Sequence, residues 1–134
     1  MEVVAIPALT DNYIWMLRDP ATGTVAGVDP GQPEPALAAA AARGWTIDQV
    51  LITHWHPDHT GGTAAIKAAT GAMVMGPAEA EKVTPMDRII AGGDHIAVGD
   101  HHAQIWDIPA HTAGHIALYF SEAKAIFTDD TMFA

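Results

Sequence analysis

No cysteine occurs anywhere in this chain, so disulfides and thiolate sites are excluded, and any metal must be held by nitrogen and oxygen. Basic residues are scarce: six Lys plus Arg stand against sixteen Asp plus Glu, a formal net charge of −10. Such a chain offers no basic surface to grip a phosphate backbone, and nucleic acid is not an expected partner. No apolar run approaches the ~20 residues of a membrane span, and the opening Met1-Glu2-Val3-Val4-Ala5-Ile6-Pro7 has neither a basic stretch nor a long apolar one. The sequence therefore reads as a soluble cytoplasmic protein with no membrane partner. Low-complexity tracts, interdomain linkers and internal repeats are missing too. Hydrophobic residues make up 49% of the 134 residues, enough to close one core in a chain of one domain's length.

Val3 to Ile6, Tyr13 to Leu17 and Thr24 to Val28 are short apolar runs separated by turn residues, which predicts three strands. Pro35 and Gly44 bracket an alanine-rich helix over Ala36 to Arg43. A strand at Gln49 to Ile52, a helix from Thr63 to Thr70 stopped by Gly71, and a strand at Ala72 to Met75 follow. The second half is strand-rich, with runs at His95 to Val98, Ala103 to Asp107, Ile116 to Phe120 and Ala125 to Phe127. This mixture predicts an α/β protein whose helices cover the outer faces of its sheets.

What is abundant is metal-ligand chemistry. Thr53-His54-Trp55-His56-Pro57-Asp58-His59-Thr60-Gly61-Gly62 places three imidazoles and a carboxylate within six positions, directly after an apolar strand. His54 and His56 are two apart, so in extended backbone they leave on one face and can share an ion. Asp58 and His59 follow a proline that redirects the chain, so they can address a second ion beside it. Imidazole with carboxylate suits zinc, with iron or manganese as alternatives. Gly61 and Gly62 let the backbone pass close to the site. Two further segments leave strand ends: Pro109-Ala110-His111-Thr112-Ala113-Gly114-His115, and Phe127-Thr128-Asp129-Asp130-Thr131. Each alone is ordinary turn chemistry, but three such loops at strand ends are expected to converge on one edge.

Taken together, the His-x-His-x-Asp-His element, His111 and Asp130 resemble the metallo-β-lactamase superfamily. The opening Ile6-Pro7-Ala8-Leu9-Thr10-Asp11-Asn12-Tyr13, with Val28-Asp29-Pro30-Gly31, narrows the resemblance to glyoxalase II, the hydroxyacylglutathione hydrolases. It runs from end to end of the chain. It implies a metallo-β-lactamase-like αββα sandwich lacking its C-terminal part, with residues 1–134 the N-terminal portion of the catalytic domain. It also implies two Zn2+ ions, with iron or manganese possible: His54, His56 and His111 on one, Asp58 and His59 on the other, Asp130 bridging, and Asp58 also orienting the reacting species. Asp29 is then either an acceptor that orients a ligand histidine or a turn-forming residue. His115 is expected to pack beside the site, and His95, His101 and His102 to be solvated loop histidines. The implied reaction is hydrolysis of S-lactoylglutathione and related thioesters to a hydroxy acid and glutathione, as in methylglyoxal detoxification. Water activated by metal attacks the carbonyl, so no protein nucleophile is needed, in keeping with the absence of cysteine and of a Gly-x-Ser-x-Gly elbow.

The chain departs from the family pattern in having Ala110 and Asp129 where glycines usually precede the third ligand histidine and the bridging aspartate. Family members also continue to another ligand histidine and a helical glutathione-binding region, whereas this chain ends at Met132-Phe133-Ala134. The expectation is weak binding of the second metal, little or no thioesterase activity of the chain as it stands, an uncovered apolar face on strands such as Ile116 to Phe120, and self-association or only marginal stability. Alternative readings are another enzyme of the superfamily (a lactonase, a different thioesterase, an iron-dependent persulfide dioxygenase) or an inactive metal-binding fragment.

Overall fold

Period-two alternation decides which layer each residue of the first sheet faces, because successive strand side chains leave on opposite sides. In β2 (Asn12–Arg18), Ile14 and Met16 face the helices, while Trp15 and Leu17 face a second sheet. The same division holds in β3 (Val25–Val28), where Val25 faces the helices and Ala26 and Val28 the other sheet, and in β4 (Gln49–Leu51), with Val50 against Leu51. Strands covered on both faces read as unbroken apolar runs rather than as alternation, which is why Val50, Leu51 and Ile52 are all fully buried. The computed structural model describes residues 1–8, 12–108, 114–128 and 132–133.

The six strands of the first sheet lie in the order β1-β2-β3-β4-β5-β6, with β1 at Glu2–Ala8, β5 at Met73–Gly76 and β6 at Arg88–Ile89. Pairing is antiparallel from β1 to β3 and parallel from β3 to β6. Parallel neighbours need crossovers. These are α1 (Pro33–Ala42), between β3 and β4, and the pair α2 (Pro57–Thr60) and α3 (Thr63–Thr70), between β4 and β5. Helix α1 begins at Pro33, three residues before the expected start, since a first turn has no intrahelical use for its N–H groups and tolerates both Pro33 and Pro35. Ala36 and Ala40, four apart on one face, let it lie close on the sheet. Helix α3 matches the expected bounds, and Gly71 closes it with φ of 72°.

The second sheet is antiparallel, in the order β11-β10-β9-β8-β7, with β7 at His95–Val98, β8 at His101–Asp107, β9 at Ile116–Phe120, β10 at Ala125–Phe127 and β11 at Met132–Phe133. Its inner face, with Ile105, Leu118, Phe120 and Phe127, meets Leu17, Val28, Leu51 and Met75 of the first sheet. Helices, sheet and sheet therefore stack in the α–β–β order of the expected sandwich. Among the described residues no helix is long and apolar enough to cross a membrane.

Two expectations need correction. Strand β9 is not stripped of cover: Ile116, Leu118 and Phe120 are buried against the first sheet, and half-buried Tyr119 lies beside the exposed Trp106, with ring centroids 4.7 Å apart. His95, His101 and His102 are not loop residues either, because the β7–β8 hairpin turns at Gly99-Asp100 and pairs Val98 with His101 and Ala97 with His102. His95 and His102 are exposed, but His101 lies 3.6 Å from Asp19, a buried carboxylate that accepts the Asp100 N–H at 2.7 Å and so pins the second sheet to the end of β2.

Candidate metal centre

Strands β3 and β4 are parallel neighbours with Val28 opposite Leu51. Asp29 and the residues after Leu51 thus leave the sheet side by side at its carboxyl edge, where open α/β sheets hold ligands. Asp29 adopts φ of 51°, a left-handed conformation that aspartate tolerates better than most side chains. Its N–H donates to the Leu51 carbonyl at 2.9 Å. Its carboxylate accepts the Thr53 N–H at 2.7 Å and the Thr53 hydroxyl at 2.6 Å, and lies 3.3 Å from Nδ1 of His59. Asp29, Thr53, His54 and His59 are all buried. Asp29 is therefore the turn residue, and its carboxylate holds Thr53 and faces His59.

The Thr53 hydroxyl also lies 2.9 Å from Nδ1 of His54. That contact fixes a tautomer. Threonine has one hydroxyl proton, and a carboxylate can only accept, so the proton points to Asp29. The oxygen must then accept from His54, whose Nδ1 carries the hydrogen and whose Nε2 keeps its lone pair for an ion.

The backbone turns back at Pro57. His56 ends the extended segment with φ of −55° and ψ of 136°, and its carbonyl accepts the His59 N–H at 2.9 Å. One helical turn brings the His59 ring to 4.4 Å from that of His54, while the His56 ring stands 4.9 Å from it. The two glycines serve a close approach: a Cβ on Gly62 would fall 2.5 Å from the Gln32 carbonyl carbon, and one on Gly61 2.8 Å from the Gly31 oxygen. The histidine loop is thereby seated on the loop that carries Asp29. The second sheet joins through the Ile116 N–H, which donates to the Thr53 carbonyl at 2.9 Å. His115 is buried and stacks on His54 with centroids 4.6 Å apart, as expected of a residue beside the site, and its Nε2–H donates to the Thr128 carbonyl at 2.5 Å.

Of the residues expected to bind metal, His54, His56 and His59 are brought together. His111 and Asp130, like Ala110, Asp129 and the Leu9-Thr10-Asp11 opening, lie outside the described residues; the backbone of Asp58 is in α2, and its side chain is likewise outside them. The structure adds Asp29 to the cluster: one ligand atom each from Asp29, His54 and His59 lie within 4.8 Å of one another, all buried. Two imidazoles and a carboxylate form a donor set that fits a divalent metal. Thr53 was not recognisable from the sequence, since a threonine at a strand end is ordinary.

Comparison with known proteins agrees with this geometry. The family model of the metallo-beta-lactamase superfamily matches residues 11–134, and the chain belongs to that superfamily. It is 46% identical over its whole length to a hydroxyacylglutathione hydrolase of Rhodospirillum rubrum and 47% identical to one of Ectopseudomonas mendocina. It covers 53% and 52% of those two proteins, and so spans about half the length of the curated relatives it matches. Among solved structures it resembles the BLEG-1 B3 metallo-beta-lactamase, with a TM-score of 0.85 at 17% identity over 95% of this chain and 71% of the other. It also resembles ETHE1 from Myxococcus xanthus, with a TM-score of 0.77 at 26% identity over 90% of this chain and 54% of the other. The superfamily implies bound metal ions, and the structure has a buried cluster of Asp29, His54 and His59 whose residue types could hold one.

Proposed function

We propose that this chain is the N-terminal portion of the catalytic domain of a metal-dependent thioester hydrolase, acting on S-lactoylglutathione and related hydroxyacylglutathiones. The observation that carries the reading is the buried convergence of Asp29, His54 and His59 at the sheet edge, in a chain aligned along its whole length with proteins named hydroxyacylglutathione hydrolase. His54, His56 and His111 would hold one Zn2+, Asp58 and His59 a second, and Asp130 would bridge them. When bound, the metals supply an activated water at neutral pH and an electrophile for the thioester carbonyl. The chain's own residues do the positioning: Thr53 fixes the His54 tautomer, Asp29 holds Thr53 and faces His59, and Asp58 orients the reacting species. A glutathione thioester implies a cytoplasmic protein, because glutathione keeps that compartment's thiols reduced. The net charge of −10 argues against nucleic acid as a partner, and self-association is proposed through the outward Trp106 and Tyr119.

The test compares the chain alone with the chain joined to the C-terminal half of a hydroxyacylglutathione hydrolase, each loaded with Zn2+, Fe2+ or Mn2+. Substrates are S-lactoylglutathione, other thioesters, a lactone and glutathione persulfide, and solution mass is read in parallel. Hydrolysis of S-lactoylglutathione by the joined form supports the proposal. Preferential turnover of the lactone or persulfide, or metal binding with no turnover in either form, refutes it.

A further inference from the structure

We propose, resting on the metallohydrolase reading above, that Glu79 is a positioning residue of the metal centre, whose carboxylate clasps the His54-to-His59 loop to the Gly114-His115 segment, where His115 stacks on His54. Glu79 lies in a helical turn, Ala78–Lys82, that follows β5. Its Oε2 accepts the Trp55 N–H at 3.0 Å, and its Oε1 accepts the Gly114 N–H at 2.8 Å. The two amides belong to different sheets' loops, 24 and 35 residues away from Glu79 in sequence. Trp55 sits between His54 and His56, and Gly114 adjoins His115. One carboxylate thus sets the spacing between the histidine loop and the segment whose His115 stacks on His54, through hydrogen bonds strengthened by its charge. Gly114 carries the mark of this arrangement: a Cβ there would fall 2.6 Å from Glu79 Oε1. A side chain at 114 would therefore push the carboxylate off this amide.

A contact that only supported the fold would leave ligand geometry alone, so metal affinity separates the two roles. Zn2+ affinity is measured by competition with a chromophoric chelator, and exchange of the Trp55 and Gly114 amides is followed by NMR in the metal-free chain. Glu79→Ala is expected to weaken Zn2+ binding about 10- to 100-fold, the usual loss when a group behind the ligands is removed, and to speed exchange at both amides. Glu79→Gln, which keeps one acceptor oxygen and turns an NH2 toward the other N–H, is expected to lose less. Glu81→Gln, exposed in the same turn, is expected to change neither readout. Gly114→Ala is expected to weaken Zn2+ binding in the wild-type background and to add nothing to Glu79→Ala, because the Cβ then meets no carboxylate; such non-additivity is the signature of direct coupling. Wild-type affinity in Glu79→Ala, or additive losses in the double variant, overturns the clasp while leaving the metal centre standing. A wild-type chain that takes up no Zn2+ overturns the metallohydrolase reading and the clasp together. If Glu79→Ala fails to fold, Glu79→Gln and Gly114→Ala carry the same comparison.

Discussion

Replacing Thr53 by Val removes one hydroxyl from a fully buried position and keeps the side chain's branched shape. Two bonds go with it: the donation to Asp29 at 2.6 Å and the acceptance from His54 Nδ1 at 2.9 Å. A hydrogen bond to a charged group contributes about 1.5–3 kcal/mol, and a buried donor left without its acceptor costs about 1–3 kcal/mol. Asp29 keeps the Thr53 N–H, which limits the loss, so the metal-free chain should be destabilised by about 2–4 kcal/mol. The second effect falls on metal. Without the hydroxyl, His54 can place its proton on Nε2, the nitrogen meant for the ion, and Zn2+ affinity should fall about 10- to 100-fold. Thr53→Ser restores the oxygen, and is expected to recover the affinity even where it loses some packing. Urea unfolding of the metal-free proteins and chelator competition read the two effects separately. Equal Zn2+ affinity for the Val and Ser variants, with matching urea midpoints, would refute the tautomer argument.

Removing two ligands should be more severe: His54→Ala with His56→Ala is expected to abolish stoichiometric metal after gel filtration, and unchanged metal content would show the ligand assignment to be wrong. If the joined form hydrolyses S-lactoylglutathione as proposed, Asp58→Asn, which keeps the shape and removes the charge, should lower its kcat by about 100-fold or more while folding survives; a near-normal kcat removes Asp58 from the chemistry. Asp19 bears on acid stability. The Asp100 N–H first, then those of Ala21 and the Thr22 hydroxyl, with His101 nearby, hold its carboxyl below the usual value of 3.8 against the opposing effect of burial. A lowered folded value means stability that is present above that usual value and lost as pH falls through the lower one, so Asp19→Asn should flatten the drop in melting temperature below about pH 4. Parallel curves for the two proteins would count against it.

Local signals were legible where they acted alone. The bounds of α3, β7, β9 and β10 follow from Gly71 and from apolar runs cut by turn residues. Strand β6 was not legible, because Arg88 and Ile89 are both exposed and pair only with the edge of β5, so no burial pattern marks them. The helical turn at Ala78–Lys82 and the two-residue β11 are similarly too short to impose a period. In the site, the density of histidines disclosed a metal centre, and the family resemblance placed it in a superfamily. The relay from Asp29 through Thr53 to His54 did not show, nor did the bonds of Glu79, because they join residues that only the parallel register of β3 and β4 and the packing of the two sheets bring together.

That register explains why a costly arrangement persists. Asp29 is a buried carboxylate in a left-handed backbone conformation, and either feature alone would be expected to destabilise the fold. Both become tolerable because the carboxylate accepts from the Thr53 amide and hydroxyl and faces His59, so its charge has partners in each direction that burial closes to water. The glycines at 61 and 62 then allow the histidine loop to lie against residues 30–33, with no room for a side chain between them. A site built this way gives up some stability of the metal-free fold for ligands held in place before the ion arrives, which is the condition for tight binding.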